Sequence, residues 1–284
     1  MGNFLVSRAS VPPPLTYGAL DRLGRSCRFL WAAWSGLAAL CLLAALWQVG
    51  HEAYGDFILP APLATVRAAL AILSRAETWD IALLTSVRAL KGFVAAGLAG
   101  GLVGLVAGYS PATLRLARPL VTVLLGVPPI AWIVLAMIWF GSTDGTVAVT
   151  ILVAAAPVVF VGVAEGVMSR DRGLDAMARA FGANAWKRLT TLSLRHVAAH
   201  LFPALVLALG VAFKVAVMAE LLANVGGIGG ELARSRANLD VAGALAWVLI
   251  AVAALIAVEY GVLHPVRSEV ERWRTAAQPW GVKR

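Results

Sequence analysis

Charged side chains are scarce in this sequence, at 14% of its 284 residues, while 60% of the residues are hydrophobic. A soluble domain of this length keeps about a quarter of its residues charged, because its surface must face water. The shortage therefore excludes an ordinary soluble protein and predicts a polytopic membrane protein with one domain. The apolar runs are continuous, which excludes a β-barrel with its alternating strands.

Residues that carry chemistry are also few. The two cysteines, Cys27 and Cys41, lie at and inside the first apolar run, so no disulfide framework is implied. His196 and His200 have the i, i+4 spacing of some metal ligands, but no third ligand is clustered with them in the sequence. There is neither a G-x-x-x-x-G-K-[ST] phosphate loop nor a catalytic set inside the apolar runs. We therefore expect no enzyme activity, no metal and no cofactor in this chain.

Six apolar runs are long enough, at roughly 20 residues, to cross a bilayer. All six are predicted to be helical, because backbone that faces lipid must satisfy its own hydrogen bonds. They define an all-α transmembrane domain at 29–263, between an N-terminal tail at 1–28 and a C-terminal tail at 264–284. The predicted spans are Phe29–Val49, Phe93–Tyr109 (extended back toward Leu83), Leu120–Phe140, Val147–Met168, Leu201–Leu222 and Val241–Leu263.

The placement of basic residues predicts the orientation of the chain. Excess Lys and Arg marks the cytoplasmic side. Both tails and the 168–200 loop are therefore expected in the cytoplasm, with Arg88 and Lys91 as exceptions at the outer end of span two. The net charge of +9 follows from this topology and does not indicate nucleic-acid binding. Of the 24 basic residues, 17 lie in residues 1–28, 110–119, 168–200 and 264–284.

Glycine and proline predict how two of the spans pack. Span two carries glycines four residues apart, a spacing that lets helix backbones approach closely in lipid. Span three contains Pro128-Pro129, which removes backbone donors and predicts a kink or break. Such breaks often lie beside a transport pathway, although a plain packing kink explains the two prolines equally well. The glycine pairs are Gly97/Gly101, Gly100/Gly104 and Gly104/Gly108.

The 168–200 loop contains a mixed segment, LDAMARAFGANAWKRL, at residues 174–189. The apolar residues that share one helical face are Leu174, Met177, Ala178 and Phe181. Gly182 to Asn184 predicts a helix stop and a new start, and Trp186 is apolar in the second short helix. These apolar faces could lie on the membrane, pack under their own bundle or enter the groove of a partner.

Span five carries two charges, Lys214 near its middle and Glu220 toward its outer end. A cation at bilayer depth costs roughly 3 kcal/mol, so it normally faces a protein interior or a water-filled path. Lys214 either pairs with an acid or lines the path and attracts an anionic solute. Glu220 is six residues away, which is poor spacing on one helix, so an acid on another helix fits the first alternative better. Glu220 itself is predicted to be a structural or gating residue.

The 174–189 segment resembles the EAA loop of ABC importer permeases, the membrane subunits of binding-protein-dependent transport systems. Nearly the whole chain is similar to the nitrate/sulfonate/taurine group of these permeases, because eight landmarks follow one another in the expected order. They are LPAPLATV (59–66), SVRALKGF (86–93), GLVGLVAGYS (101–110), RPLVTVLLGVPPIAWI (118–133), IWFG (138–141), ARAFGANAWKRL (178–189), AELLANVGGIG (219–229) and ERWR (271–274).

The resemblance implies the six-helix, MetI-like fold of type I ABC importer permeases in a bacterial inner membrane. It also implies that two permeases, identical or related sisters, form the pore, and that a cytosolic ATPase dimer carrying ATP and Mg²⁺ docks on the loop. An extracytoplasmic binding protein would deliver a small, anionic solute. The coupling residues are then Asp175, Ala176, Met177, Ala178, Phe181, Gly182, Ala183 and Trp186. The residues assigned to the translocation path are Pro128, Pro129, Lys214 and Glu220.

The sequence departs from the family pattern in three places. Counting back from Gly182, the Glu-Ala-Ala of the family falls on Ala176 to Ala178, so the glutamate is missing unless Asp175 replaces it one position early. Arg195 stands where a proline is expected, and Lys214 lies where an aromatic residue is usual. The alternative function is a self-sufficient secondary transporter, but that reading leaves the amphipathic loop without a role.

Overall fold

The computed structural model describes residues 19–169, 172–184, 187 and 194–263, and within these ranges the chain forms helices and no strand. The all-α fold predicted from the apolar runs is confirmed. The chain divides into two compact units, 1–62 and 63–284. The helices are α1 (Ala19–Tyr54), α2 (Pro62–Leu73), α3 (Ala76–Tyr109), α4 (Pro111–Gly126), α5 (Pro129–Phe140), α6 (Asp144–Met168), α7 (Arg172–Ala180), α8 (Leu194–Ala223), α9 (Ile228–Ala237) and α10 (Val241–Val258), which continues as a π-helical turn at Glu259–Leu263.

The first unit consists of α1 and the turn that follows it. Gly55, at φ +78°, ends the helix, because a glycine adopts this left-handed conformation without strain. The chain then folds back on the last turns of α1. Trp47 Nε1 donates to the Pro60 carbonyl at 3.0 Å, and His51 Nδ1 lies 2.8 Å from the Leu59 carbonyl. Predicted span one lies inside α1, whereas residues 1–18 and 264–284, most of both predicted tails, are outside the described residues.

In the second unit, α3 and α6 run parallel and touch backbone to backbone. A Cβ added at Gly100 would collide with the Ala156 carbonyl oxygen, and one at Gly104 would lie 2.8 Å from the Phe160 carbonyl oxygen. Gly108 is equally crowded, by the side chain of Val167. The predicted close approach is therefore confirmed for two of the three glycine pairs.

The third glycine pair of α3 makes no such contact. A Cβ at Gly97 or at Gly101 would meet no atom within 4 Å, and neighbouring Leu98 and Leu102 are each 64% exposed. Both glycines are half-buried and lie beside the Gly100/Gly104 stripe that packs on α6. Among the described residues no helix packs tightly on this pair, so for it the predicted close approach stays a prediction.

Helix α8 packs on α6 in the antiparallel direction, so α6 lies between α3 and α8 in the core. Gly166 of α6 faces Val197 of α8, and Gly162 faces Ala204. Buried residues from all three helices fill one continuous cluster, whose largest members include Ile151. The core thus places the end of α8 that carries Glu220 beside the first residues of α6.

The kink or break predicted at Pro128-Pro129 within span three, Leu120–Phe140, is confirmed as a break. The span is broken into α4 and α5, which meet at an angle of 95°. Val127 and Pro128 are both extended (ψ 125° and 138°), because a residue that precedes proline avoids the helical region and neither proline can donate to the helix ladder. Five other helices are long and apolar enough to cross a membrane, so the predicted six spans hold when α4 and α5 count as one.

Candidate functional site

The carboxylate of Glu220 is fully buried near the end of α8 and is held by three donors. Arg88 Nη1 of α3 donates to its Oε1 at 2.9 Å, and Thr85 Oγ1 donates to its Oε2 at 2.8 Å. The backbone N–H of Gly229, in the first turn of α9, donates to the same Oε2 at 3.1 Å. A buried anion is stable only with such pairing, and the helix start adds its positive dipole end. Glu220 thus ties α8 to α3 and α9.

Arg88 connects this carboxylate to two turns of the chain. Its Nη1 also donates to the carbonyl of Gly226, in the turn between α8 and α9. Its Nη2 donates to Asp144 Oδ1 at 2.5 Å, at the start of α6. The Arg88 side chain is 13% exposed, whereas that of Asp144 is 73% exposed. This pairing explains why Arg88 breaks the charge rule for orientation, because two carboxylates offset its charge.

The glycine turn closes over Glu220 because side chains would not fit there. Gly227 has φ +127°, and a Cβ on it would collide with the Glu220 carboxylate. A Cβ on Gly229 would collide with the Val217 carbonyl, and one on Gly230 with the Val225 carbonyl. Thr85 completes the closure by accepting the Ile228 N–H at 2.8 Å. Helix α9 begins directly from this turn, at Ile228.

Lys214 lies on the same helix as Glu220 but in different surroundings. Its side chain is exposed in this chain, while Val215 and Ala216 beside it are fully buried. Within the described residues the ammonium group has no ion pair, and Glu220 is paired with Arg88 instead. The alternative in which Lys214 pairs with Glu220 is therefore wrong. The exposed face of α8 that carries Lys214 also carries Leu207, which is 64% exposed.

The break between α4 and α5 is the other feature assigned to a path. Pro128 is exposed and Pro129 half-buried at the junction. Trp132, one turn into α5, has a buried Nε1 with no hydrogen-bond partner among the described residues. Ile133 and Ala136 hold α5 in the core, and Thr146 Oγ1 of α6 donates to the carbonyl at the end of α5. The structure does not bring these prolines into contact with Glu220.

The predicted loop begins with α7 and ends it at Gly182, as the sequence indicated. Gly182 has φ +77°, and the Ala183 N–H donates back to the Ala178 carbonyl at 2.9 Å. This pattern is a Schellman helix end, which requires a left-handed residue at the glycine position. Asn184 Oδ1 then accepts the N–H of Lys187 at 2.8 Å, the bond of a helix N-cap. The predicted stop and new start are both confirmed.

The apolar face of α7 points away from the helices that carry it. Phe181 is 82% exposed and Met177 is 54% exposed, and Leu174 is also exposed. Ala176 is exposed as well, while Ala178 and Ala183 are half-buried. The Asp175 side chain and Trp186 lie outside the described residues, so their predicted roles stay predictions. Helix α7 thus presents an exposed apolar face beside a fixed helix end.

The residues around Glu220 and Arg88 lie at one end of α6, and the exposed residues of α7 lie at the other end. Asp144 is the first residue of this 25-residue helix, and α7 follows its last residue, Met168. At 1.5 Å per residue the helix separates them by about 37 Å. Sequence reasoning missed Arg88, Thr85 and Asp144, because their partners are more than 50 residues away in the chain. The one signal in the sequence was that Arg88 and Lys91 lie at the predicted outer end of span two, where the charge rule expects few basic residues.

Comparison with known proteins gives one family and several distant relatives. A family described as binding-protein-dependent transport system inner membrane component matches residues 97–262, more than half of the chain. The putative aliphatic sulfonates transport permease protein SsuC of Bacillus subtilis is 25% identical over 222 residues, or 78% of this chain and 79% of that protein. The taurine transport system permease protein TauC of Escherichia coli is 27% identical over 194 residues (66% and 70%). The nitrate import permease protein NrtB of Synechococcus elongatus is 25% identical over 212 residues (68% and 73%).

Proposed function

Because the chain belongs to the family of binding-protein-dependent transport system inner membrane components, we propose that it forms half of the translocation path of an ATP-driven importer. Its relatives confirm the resemblance to the sulfonate, taurine and nitrate group of ABC importer permeases. The chain is a multi-pass inner-membrane protein, and the family is one of transport proteins and not of enzymes. The second half of the path is a second permease subunit, identical or a related sister.

The 174–189 loop docks on a cytosolic ATPase dimer that binds ATP and Mg²⁺. The observation that supports this role is the exposed face of α7, where Phe181 and Met177 project beside a helix end fixed by Gly182. Together with Leu174 they form a contiguous exposed apolar patch, and such patches often mark an interaction site. With the 174–189 loop in the cytoplasm, both tails lie there too, and the Asp144 end of α6 lies on the side of the binding protein.

The solute is a small anion, and Lys214 attracts it from the wall of the path. Lys214 is exposed in this chain at a level where lipid would exclude a cation. That face of α8 must therefore be covered by a second subunit or by water. The names of the relatives, which mention aliphatic sulfonates, taurine and nitrate, fit an acidic solute. Two further features belong to the same path. Pro128 and Pro129 form a break in its wall, and Glu220 is a gate residue that its hydrogen bonds hold in place.

The docking role is tested by copurifying the permease with an ABC ATPase subunit from the same organism. Replacing Phe181 with Ser removes one docking side chain and should weaken association by about 2 kcal/mol, roughly 30-fold, as loss of an interface anchor does. Phe57→Ser is the matched control, because Phe57 is 72% exposed but lies in the other unit. Uptake that persists after Phe181→Ser, without bound ATPase, would favour the secondary transporter.

A further inference from the structure

One guanidinium bridges the two turns that close the Asp144 end of the second unit. The α5–α6 turn contains Gly141 at φ +66° and leads into Asp144, and the α8–α9 turn contains Gly227 at φ +127°. Arg88 reaches both turns from a third helix, through Asp144 on one side and through the Gly226 carbonyl on the other. The two turns are thus connected through a side chain that belongs to neither.

The two carboxylates that share Arg88 differ in what their separation would cost. Glu220 is fully buried, so losing Arg88 would leave an anion without its cation in a place that water does not reach. Asp144 is 73% exposed, so water replaces Arg88 around it at little cost. The Arg88–Glu220 pair stays neutral when Asp144 leaves. Only the Asp144 arm can therefore open and close reversibly.

Helix α5, which leads into the turn before Asp144, is lightly anchored, whereas Thr146 and Val147 of α6, which follow Asp144, are fully buried. Of the twelve residues of α5, Ile133 and Ala136 are buried, and the helix begins at the 95° break. Thr146 Oγ1 donates to the Gly141 carbonyl, which attaches the first turn of α6 to the end of α5. A displacement of α5 therefore reaches Asp144 directly, whereas the α8–α9 turn is held by the buried bonds of Glu220 and Thr85.

We propose that the Arg88–Asp144 ion pair is a releasable latch between the α5–α6 turn and the α8–α9 turn, with Arg88 as its positioning residue. Arg88 remains on Glu220 in both states, and Asp144 leaves when the two turns separate. The assignment of this latch to the outer gate of a transport path rests on the proposed function. The latch itself is a property of this chain and can be measured without any partner.

The test measures how often the two turns meet in the purified full-length permease. Cysteines are placed at Ser142 and Gly226, one on each turn, in a chain whose Cys27 and Cys41 are replaced by serine. Both positions are exposed, and a side chain at Gly226 approaches nothing closer than 3.9 Å. A short thiol–thiol crosslinker then reports the fraction of molecules in which the turns are together.

Asp144→Asn should lower the crosslinking rate about two- to fivefold, the range expected for loss of one exposed ion pair. Asp144→Glu should restore the rate. Glu231→Gln is the matched control, because Glu231 forms a 2.7 Å ion pair with Arg234 that does not touch the two turns. The melting temperature should be unchanged in all three variants.

Two results would overturn the latch. An unchanged crosslinking rate in Asp144→Asn would mean that the ion pair holds nothing, and a permease that no longer folds would mean that Asp144 is a fixed part of the structure. Adding ATP to the complex of the wild-type permease and its ATPase should also lower crosslinking. If no ATPase associates, the proposed function fails while the result on the permease alone still stands.

Discussion

Lys214 and Glu220 lie six residues apart on α8, carry opposite charges and are treated in opposite ways by the fold. Glu220 is fully buried and receives hydrogen bonds from Arg88, Thr85 and Gly229. Lys214 is exposed, and among the described residues no carboxylate pairs with it. Glycines show the same contrast, since a Cβ added at Gly227 would collide with the Glu220 carboxylate, whereas one added at Gly210, one turn before Lys214, would meet nothing within 4 Å.

The partners of Glu220 all lie within this chain, whereas Lys214 has no ion-pair partner among the described residues. A buried ion with all its partners in place stabilises the arrangement of helices around it. An exposed ion on a membrane helix requires a second subunit, water or a solute. The composition of α8 alone does not distinguish the two, because both residues interrupt an apolar run. Their partners distinguish them.

Replacement of Glu220 is expected to have the largest effect. Glu220→Gln leaves Arg88 with only the exposed Asp144 as a counter-charge, and breaking a buried pair in this way costs about 3–5 kcal/mol. Thermal unfolding of the solubilised permease should show this loss. Glu231→Gln, at an exposed ion pair, should change stability by less than about 1 kcal/mol. If the two variants melt at the same temperature, the buried bonds of Glu220 stabilise the fold no more than an ordinary surface ion pair does.

Alanine at the two glycines tests crowding apart from charge. Gly227→Ala places a Cβ on the Glu220 carboxylate at a φ of +127°, so we expect a loss of about 1–3 kcal/mol. Gly210→Ala meets nothing within 4 Å and should raise stability by about 0.5–1 kcal/mol, since alanine favours the helix. Both changes are read from the same unfolding measurement. A stable Gly227→Ala would show that the turn is looser than its contacts imply.

Lys214→Met should have the smallest effect on stability and a clear effect on transport. We expect a change below about 1 kcal/mol in unfolding, because Lys214 has no ion pair to lose within the described residues. Uptake of nitrate, taurine or methanesulfonate should fall roughly tenfold, equivalent to about 1.4 kcal/mol of lost attraction.

Lys91→Met is the matched control for this variant. Lys91 is also exposed, and each lysine lies six residues, about 9 Å, beyond the Thr85–Glu220 hydrogen bond on its own helix. Because α3 and α8 are antiparallel, the two lysines have the same depth. If both variants reduce uptake equally, a general loss of positive charge is responsible and Lys214 has no special role.

The helices could be predicted from the sequence because their cause is local. Long apolar runs identify spans one, four, five and six, and each predicted run lies within or along its helix. Span two was placed too late, since α3 begins at Ala76, where charged residues dilute the apolar signal. The break in span three was predicted at Pro128-Pro129, but its angle of 95° was not, because prolines show where a helix breaks and not by how much.

The site could be predicted only where the pattern was local as well. Gly182 and Asn184 were identified, because helix ends depend on residues within a few positions. The Glu220 network was missed, since it joins residues more than 130 positions apart. A single sequence records that Arg88 is misplaced by the charge rule, but the carboxylates that account for it become visible only once α3, α6 and α8 are packed.

The break between α4 and α5 also determines which backbone groups are left without a helical partner. A helix start normally offers free amide hydrogens to an anion, but Pro128 and Pro129 have none, and the Ala131 N–H is occupied by the Pro128 carbonyl. The last turn of α4 meanwhile offers carbonyl oxygens that no helical N–H reaches. Among the first three residues of α5 only Ile130 thus has an N–H that is not removed by proline or bonded to Pro128, so this helix start is a poorer anion site than most.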